Sequence, residues 1–285
     1  MITQIYFELT TYQFCQDLSL HFLLFSTTFI NFLSYISSMQ EKKDFKKTFG
    51  NTPILGMIHL AGDEASSQAL DEISVYIEEG VTGAIIENYH GSINDVINLL
   101  EITSKFTTPF LFGINILPNN FSRAFSLAKR YGASFIQLDH VAGKYAQGEL
   151  NTEQYTAERE QNQNVFVLGG VWPKYYTPVK DSNLEKDIRT GMERCDAIVV
   201  TGKGTGKETP LDKIETFHSL MNYHPLIIGA GITIQNAYEQ LYIADGAIIG
   251  SAFKSDNNTE NPVDKARVKD IMDVVKEVRE KKDET

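Results

Sequence analysis

The sequence has little of what marks a special environment. Across 285 residues there are two cysteines, Cys15 and Cys195, without metal-like spacing. That argues against a disulfide framework and for a reducing, cytoplasmic compartment. Basic residues are in the minority, with 26 Lys and Arg against 37 Asp and Glu. A net charge of −11 excludes a general nucleic-acid binder, which presents a basic face. It does not exclude a phosphorylated ligand, because a local cluster of backbone N–H groups holds an anion on an acidic protein. No Pro/Ser-rich linker or charge block divides the chain, so a second domain is not expected. A metal site could be built from His59, Glu87 and Asp139, but no HxH, HExxH or DxD spacing supports it, and no metal or cofactor is assigned. What remains is an ordinary globular balance, 42% hydrophobic and 22% charged, which suits one folded core.

Residues 1–38 lack Lys and Arg altogether; the first of either is Lys42. Within them Leu18 to Ile36 is uncharged, rich in Leu, Phe and Ile, and about long enough to span a bilayer. It is diluted by Ser19, His21, Ser26, Thr27, Thr28, Asn31 and Ser34, and it lacks the basic n-region and cleavage site of a signal peptide. Three readings stand: upstream sequence before a true start at Met39, a membrane anchor, or an amphipathic cap on the fold. The first is preferred. No membrane association is expected for residues 39–285.

From residue 52 the pattern changes to alternating strands and helices. Apolar, β-branched runs occur at Ile54–His59, Ala84–Glu87, Pro109–Asn115, Ser134–Asp139, Val165–Val171, Ala197–Thr201, Leu226–Gly229 and Ala247–Gly250. Amphipathic stretches lie near 65–80, 92–105, 120–131, 151–162, 183–193, 210–222, 233–242 and 263–280. Asn94, Ser182 and Thr233 are read as N-caps, and Gly80 and Gly132 as C-cap glycines. Eight βα units in a chain of this length predict an α/β fold, a single (β/α)8 TIM barrel over residues 39–285, preceded by the apolar segment.

Two turns at the C-terminal end carry the strongest chemical signal. The seventh strand runs into Gly229-Ala230-Gly231-Ile232-Thr233 and the eighth into Gly250-Ser251-Ala252-Phe253-Lys254. Loops after strands seven and eight of such barrels often bind phosphate, and glycine lets the backbone approach the anion. The alternative is that these glycines only make tight turns. A third cluster, Thr201-Gly202-Lys203-Gly204-Thr205-Gly206-Lys207, resembles a Walker A loop but fails it, since Glu208 follows Lys207 and Thr201 stands where glycine is required. Its readings are an anion clamp or lid, with Thr201, Gly202 and Lys203 as ligand contacts, or a solvated loop. Gly229-Ala230-Gly231 does not complete a dinucleotide fingerprint, because residue 234 is Ile.

Polar residues at strand carboxyl ends form the candidate catalytic set: His59, Glu87 with Asn88, Asn115, Asp139 with His140, and Lys174. Glu87 or Asp139 suits a general base, and His59 or His140 an acid–base partner. Lys174 suits an anion contact or, if desolvated, a Schiff base. Asn115 is a ligand contact or a loop brace, and His140 a site group or a solvated loop residue. Trp172, beside Pro173, is read as packing.

The motifs Ile54-Leu55-Gly56-Met57-Ile58-His59-Leu60, Ala84-Ile85-Ile86-Glu87-Asn88 and Gly113-Ile114-Asn115-Ile116-Leu117 resemble the first three strands of the BtpA/SgcQ family. The likeness continues through Val199-Val200-Thr201-Gly202, Gly229-Ala230-Gly231, Asp245-Gly246, Gly250-Ser251-Ala252-Phe253-Lys254 and Asn261-Pro262-Val263-Asp264, in collinear order over about residues 52–275. The resemblance implies a ribulose-phosphate-binding type of barrel, in a family named for a role in photosystem I biogenesis. The sequence departs from the family pattern at Ala61-Gly62-Asp63-Glu64, at Gln137 in place of a basic residue, and at Tyr175 after Lys174 in place of His. Two function classes follow. One is an isomerase, lyase or hydrolase acting on a phosphorylated small molecule; the other is a non-catalytic barrel of assembly or regulation. The expected partner is a sugar phosphate or phosphoribosyl compound, with self-association as a homo-oligomer left open.

Overall fold

The computed structural model describes residues 43–284, so the apolar segment at 1–38 lies outside the described residues. Short helix α1 (Phe45–Phe49) comes first, followed by β1 (Ile54–Ile58), α2 (Ala65–Glu78), β2 (Gly83–Glu87), α3 (Ile93–Thr103), β3 (Leu111–Asn115), α4 (Phe121–Tyr131) and β4 (Phe135–Leu138). A hairpin, β5 (Lys144–Tyr145) with β6 (Gly148–Glu149), precedes α5 (Thr152–Gln161) and β7 (Phe166–Gly170). The chain then continues as α6 (Leu184–Arg194), β8 (Ala197–Val200), α7 (Leu211–Met221), β9 (Leu226–Ile228), α8 (Ala237–Ile243), β10 (Gly246–Ile249) and α9 (Lys265–Asp283).

Eight of these strands close into a parallel barrel in the order β1-β10-β9-β8-β7-β4-β3-β2. Closure is made by the first and last strands, with Ile54 facing Ala247 and Gly56 facing Ile249. The eight runs read from the sequence are these eight strands, with ends within two residues. They read as continuous apolar runs because both faces are covered. One face, including Leu55, Met57, Ile85, Phe135, Leu168, Val199, Ile227 and Ile248, fills the barrel interior. The other, including Ile54, Ile58, Ile86, Ile136 and Val200, meets the helices. Several helices supply a matching stripe, such as Phe121, Ala124, Phe125 and Ala128 in α4 or Val268, Ile271, Val275 and Val278 in α9, whereas α5 buries only Tyr155.

Helix α1 stops the amino-terminal end of the barrel. Phe45 and Phe49 stack at 4.4 Å, and Phe49 meets the rings of Phe135 and Phe166 edge-on at 5.4 and 5.3 Å. This plug was not foreseen, since five residues carry no helical periodicity. The helix starts also differ from expectation. Ser92 caps α3 in a reciprocal box with Asp95, Asn183 caps α6, and α8 begins after Asn236, so Asn94, Ser182 and Thr233 are not the caps. At α3 and α6 the residue that caps is the one whose backbone is still extended at the turn, and nearby Ser and Asn offer the same kind of side-chain acceptor. Gly80 and Gly132 do end their helices, at φ +73 and +72.

Candidate functional site

At the carboxyl ends of the strands a cavity of about 140 Å3 opens to the surface. His59, Glu87, Asn115, Asp139, Lys174, Thr201, Gly229, Gly231, Gly250 and Ser251 all line it. Parallel strands in register place them there, because Ile58 faces Ile86 and Glu87 faces Asn115. Gly202 and Lys203 do not line it. Lys203 is exposed, and a Cβ on Gly202 would meet the Glu208 carbonyl at 2.3 Å. The part of that loop at the cavity is Thr205 and Gly206.

The polar half of the cavity is a connected network. Asn115 Nδ2 donates to Glu87 Oε1 at 2.7 Å and to Gln137 Oε1 at 2.5 Å. Tyr176 donates its hydroxyl to Asp139 Oδ2 at 3.0 Å. Lys174 Nζ donates to Thr205 Oγ1 at 3.1 Å, while its amide donates to Thr201 Oγ1 at 2.6 Å. Tyr175 shares Thr205, accepting from its amide at 2.9 Å, so the loops after β7 and β8 are tied together over the cavity. Asn88 instead braces the neighbouring loop, accepting from the Leu117 amide at 2.8 Å.

Burial sets the protonation of these groups. Desolvation pushes the Glu87 carboxyl up to about 7; the nearby Asp139 adds to this, and Lys174 and the Asn115 hydrogen bond oppose it. Asp139 is raised as well, chiefly by burial, against the Tyr176 hydrogen bond and Lys174. Burial, then the charge of Lys254, holds His59 down to about 3, so its ring is neutral at physiological pH. His140 is not a solvated loop histidine. It is 4% exposed, lies between Tyr145 and Tyr176 at 5.0 and 4.9 Å, and is held at about 4 by burial. Among the described residues, His59 Nδ1 and Asn115 Oδ1 are buried and lack a hydrogen-bond partner in the chain. Such atoms are ordinarily met by a ligand or water.

The other half of the cavity is main chain. The Ala230 carbonyl accepts from Thr209 Oγ1 at 2.9 Å and the Gly231 carbonyl from Asn236 Nδ2 at 3.0 Å. After β10 the chain makes a 3-10 turn, Ser251–Phe253, whose Gly250 and Ser251 carbonyls accept from Phe253 and Lys254 amides. Among the described residues, the amides of Gly231, Ile232, Gly250 and Ser251 donate to no group of the chain. Main chain whose carbonyls are engaged and whose amides are not has the chemistry that suits an anion. The glycines have packing reasons too. Gly231, at φ +79, has the Lys207 carbonyl 2.2 Å from where a Cβ would sit, and a Cβ on Gly250 would lie 3.1 Å from the His59 ring.

Sequence reasoning missed Tyr89, Tyr175 and Tyr176, which line the mouth with Thr205 of the glycine-rich loop. Their only signal was adjacency to Asn88 and Lys174. Trp172 packs as expected, half-buried with Nε1 donating to Asp187 Oδ2 at 2.9 Å. Among the described residues no group of three His, Cys, Asp or Glu side chains is placed to hold a metal ion. Nor is any helix among them long and apolar enough to cross a membrane.

Comparison with known proteins adds lineage to this geometry. A family model described as "BtpA family" matches residues 51–277. Photosystem I biogenesis protein BtpA of Synechocystis is 25% identical, covering 82% of this chain and 92% of that one. The putative sgc region protein SgcQ of Escherichia coli is 27% identical over 63% of this chain and 68% of its own. Among solved structures, phosphoribosyl anthranilate isomerase of Thermus thermophilus shares the barrel with a TM-score of 0.56 and 11% identity, covering 80% of this chain and all (100%) of that one.

Proposed function

Since the chain belongs to the BtpA family, we propose that its barrel binds a small phosphorylated metabolite, a sugar phosphate or phosphoribosyl compound, and acts on it by proton transfer. The observation that carries this reading is one cavity lined both by the main chain of Gly229–Ile232 and Gly250–Ser251 and by the carboxyls of Glu87 and Asp139. The phosphate lies against Gly231–Ile232 and Gly250–Ser251, where neutral donors favour an anion on a protein of net charge −11. The remainder of the ligand reaches towards Glu87, Asp139 and Lys174.

At neutral pH a carboxyl titrating near 7 is present in both forms, so Glu87 can take a proton and return it. Asp139, fixed by Tyr176, is the second carboxyl. Lys174 supplies positive charge where negative charge develops, or an imine if the substrate offers a carbonyl. A ring titrating near 3 cannot cycle through imidazolium, so His59 acts as a neutral hydrogen-bonding group rather than the acid–base partner expected from sequence. An isomerase, lyase or hydrolase fits these parts equally. The name of the Synechocystis relative favours the second reading, a non-catalytic barrel of assembly or regulation. The persistence of a carboxyl with a raised pKa in the cavity weighs towards the enzyme.

Titration calorimetry of the wild type and Gly250→Asp with ribose 5-phosphate tests the site. Aspartate at 250 adds like charge and places a Cβ 3.1 Å from the His59 ring. Affinity should fall at least about tenfold, roughly 1.4 kcal/mol. Equal affinity in the two proteins removes the phosphate site.

A further inference from the structure

We propose that the buried ion pair of Glu72 and Lys254 holds the turn after β10 in the conformation that leaves its amides free for an anion. Both are then positioning residues for the phosphate subsite, and the inference rests on that subsite being real. Lys254 is the last residue of Gly250–Lys254, 1% exposed, and its ammonium lies 2.5 Å from Glu72 Oε1. Glu72, 3% exposed, projects from the apolar stripe of α2 that also carries Ala69, Ile73 and Tyr76. Gln68 Nε2 donates to the same carboxylate oxygen at 3.0 Å.

A charged pair in such a place contributes little to stability, because desolvation of two ions offsets their attraction; well-packed apolar residues often do better. Its geometric effect is more specific. The Ala252 carbonyl accepts from Arg267 Nε at 3.0 Å, and the Phe253 carbonyl from the Asp264 amide at 2.8 Å. The turn is thus fixed from α9 on one side and from α2, through Lys254, on the other. Only Ala252 and Phe253 separate Lys254 from Ser251, so rotation of the turn about its unanchored end would swap amides for carbonyls at the cavity wall. The pair is neutral as a whole, so it acts on an anion through position and not through net charge. The charge of Lys254 also helps to keep the His59 ring neutral.

The test uses the full chain, with thermal unfolding and titration of inorganic phosphate and ribose 5-phosphate read side by side. In Glu72→Leu/Lys254→Met both charges leave together, so the melting temperature should hold or rise while affinity for both probes falls at least about tenfold. A residue pair that merely supported the fold would move the two readouts in the same direction. Glu72→Asp keeps both charges but withdraws the carboxylate by one methylene; it should weaken binding by a smaller factor, and it decides the matter if the double variant does not fold. Wild-type affinity in the folded variants overturns the proposal. Absence of binding in the wild type itself would instead remove the phosphate subsite on which it rests.

Discussion

The two ends of this barrel are built from the same strands and are chemically opposite. At the amino-terminal end α1 seals the interior with aromatic rings, Phe49 against Phe135 and Phe166. At the carboxyl end the same strands finish in His59, Glu87, Asn115 and Asp139, with two histidines held neutral and a carboxyl raised to about 7. The difference shows where the fold obtains stability and where it spends it on polar groups held away from water. Substitutions at the two ends should therefore separate folding from chemistry.

The largest effect is expected at the mouth. Glu87→Gln should lower turnover of the eventual substrate by about 10²–10⁴-fold, with no loss of melting temperature. Equal turnover would leave Glu87 a structural group. At the other end Phe49→Ala should cost about 3–5 kcal/mol in urea unfolding, with ribose 5-phosphate affinity unchanged. A loss of affinity as large as the loss of stability would break the separation of the two ends.

A third effect concerns pH. The folded pKa of Glu87 is near 7 against an ordinary 4.5. A raised carboxyl favours folding fully below the unfolded value, and that favour is lost as pH rises through 7. Glu87→Gln should therefore gain on the wild type between about pH 4.5 and 7, by a difference on the order of 3 kcal/mol. His59 and His140 act with the opposite sign. Their folded values near 3 and 4 lie below the ordinary 6.5, so their contribution is present above 6.5 and lost as pH falls through the folded values. Urea unfolding of wild type and Glu87→Gln at pH 5 and pH 8 separates the two trends. The smallest effect is expected at the chain start, where a protein beginning at Met39 should melt at the same temperature as the full chain. A clear loss of stability would support the anchor or cap reading of residues 1–38.

The strands were legible because a fully covered parallel strand has few alternatives to an unbroken apolar run. The residues at their carboxyl ends were legible for the same reason, since the polar residue that ends the run marks the edge of the barrel. Caps were not, because Ser182 and Asn183 present the same acceptor and only the backbone chooses between them. Nor was the reason for Gly231, whose close neighbour is the Lys207 carbonyl on another loop. Glu72 and Lys254 stand 182 positions apart; the one local trace was a carboxylate on the apolar stripe of α2.

Closure of the barrel by β1 against β10 has a consequence for synthesis. Ile54 waits for Ala247 to leave the ribosome before it gains this neighbour. Until then the nascent chain carries two bare sheet edges, one on β1 and one on the newest strand, each able to pair with another chain. Gly250 and Lys254 emerge directly after the last strand. Termination before Gly246 would thus leave an open sheet without its final stave, whereas termination within α9 would spare all eight staves.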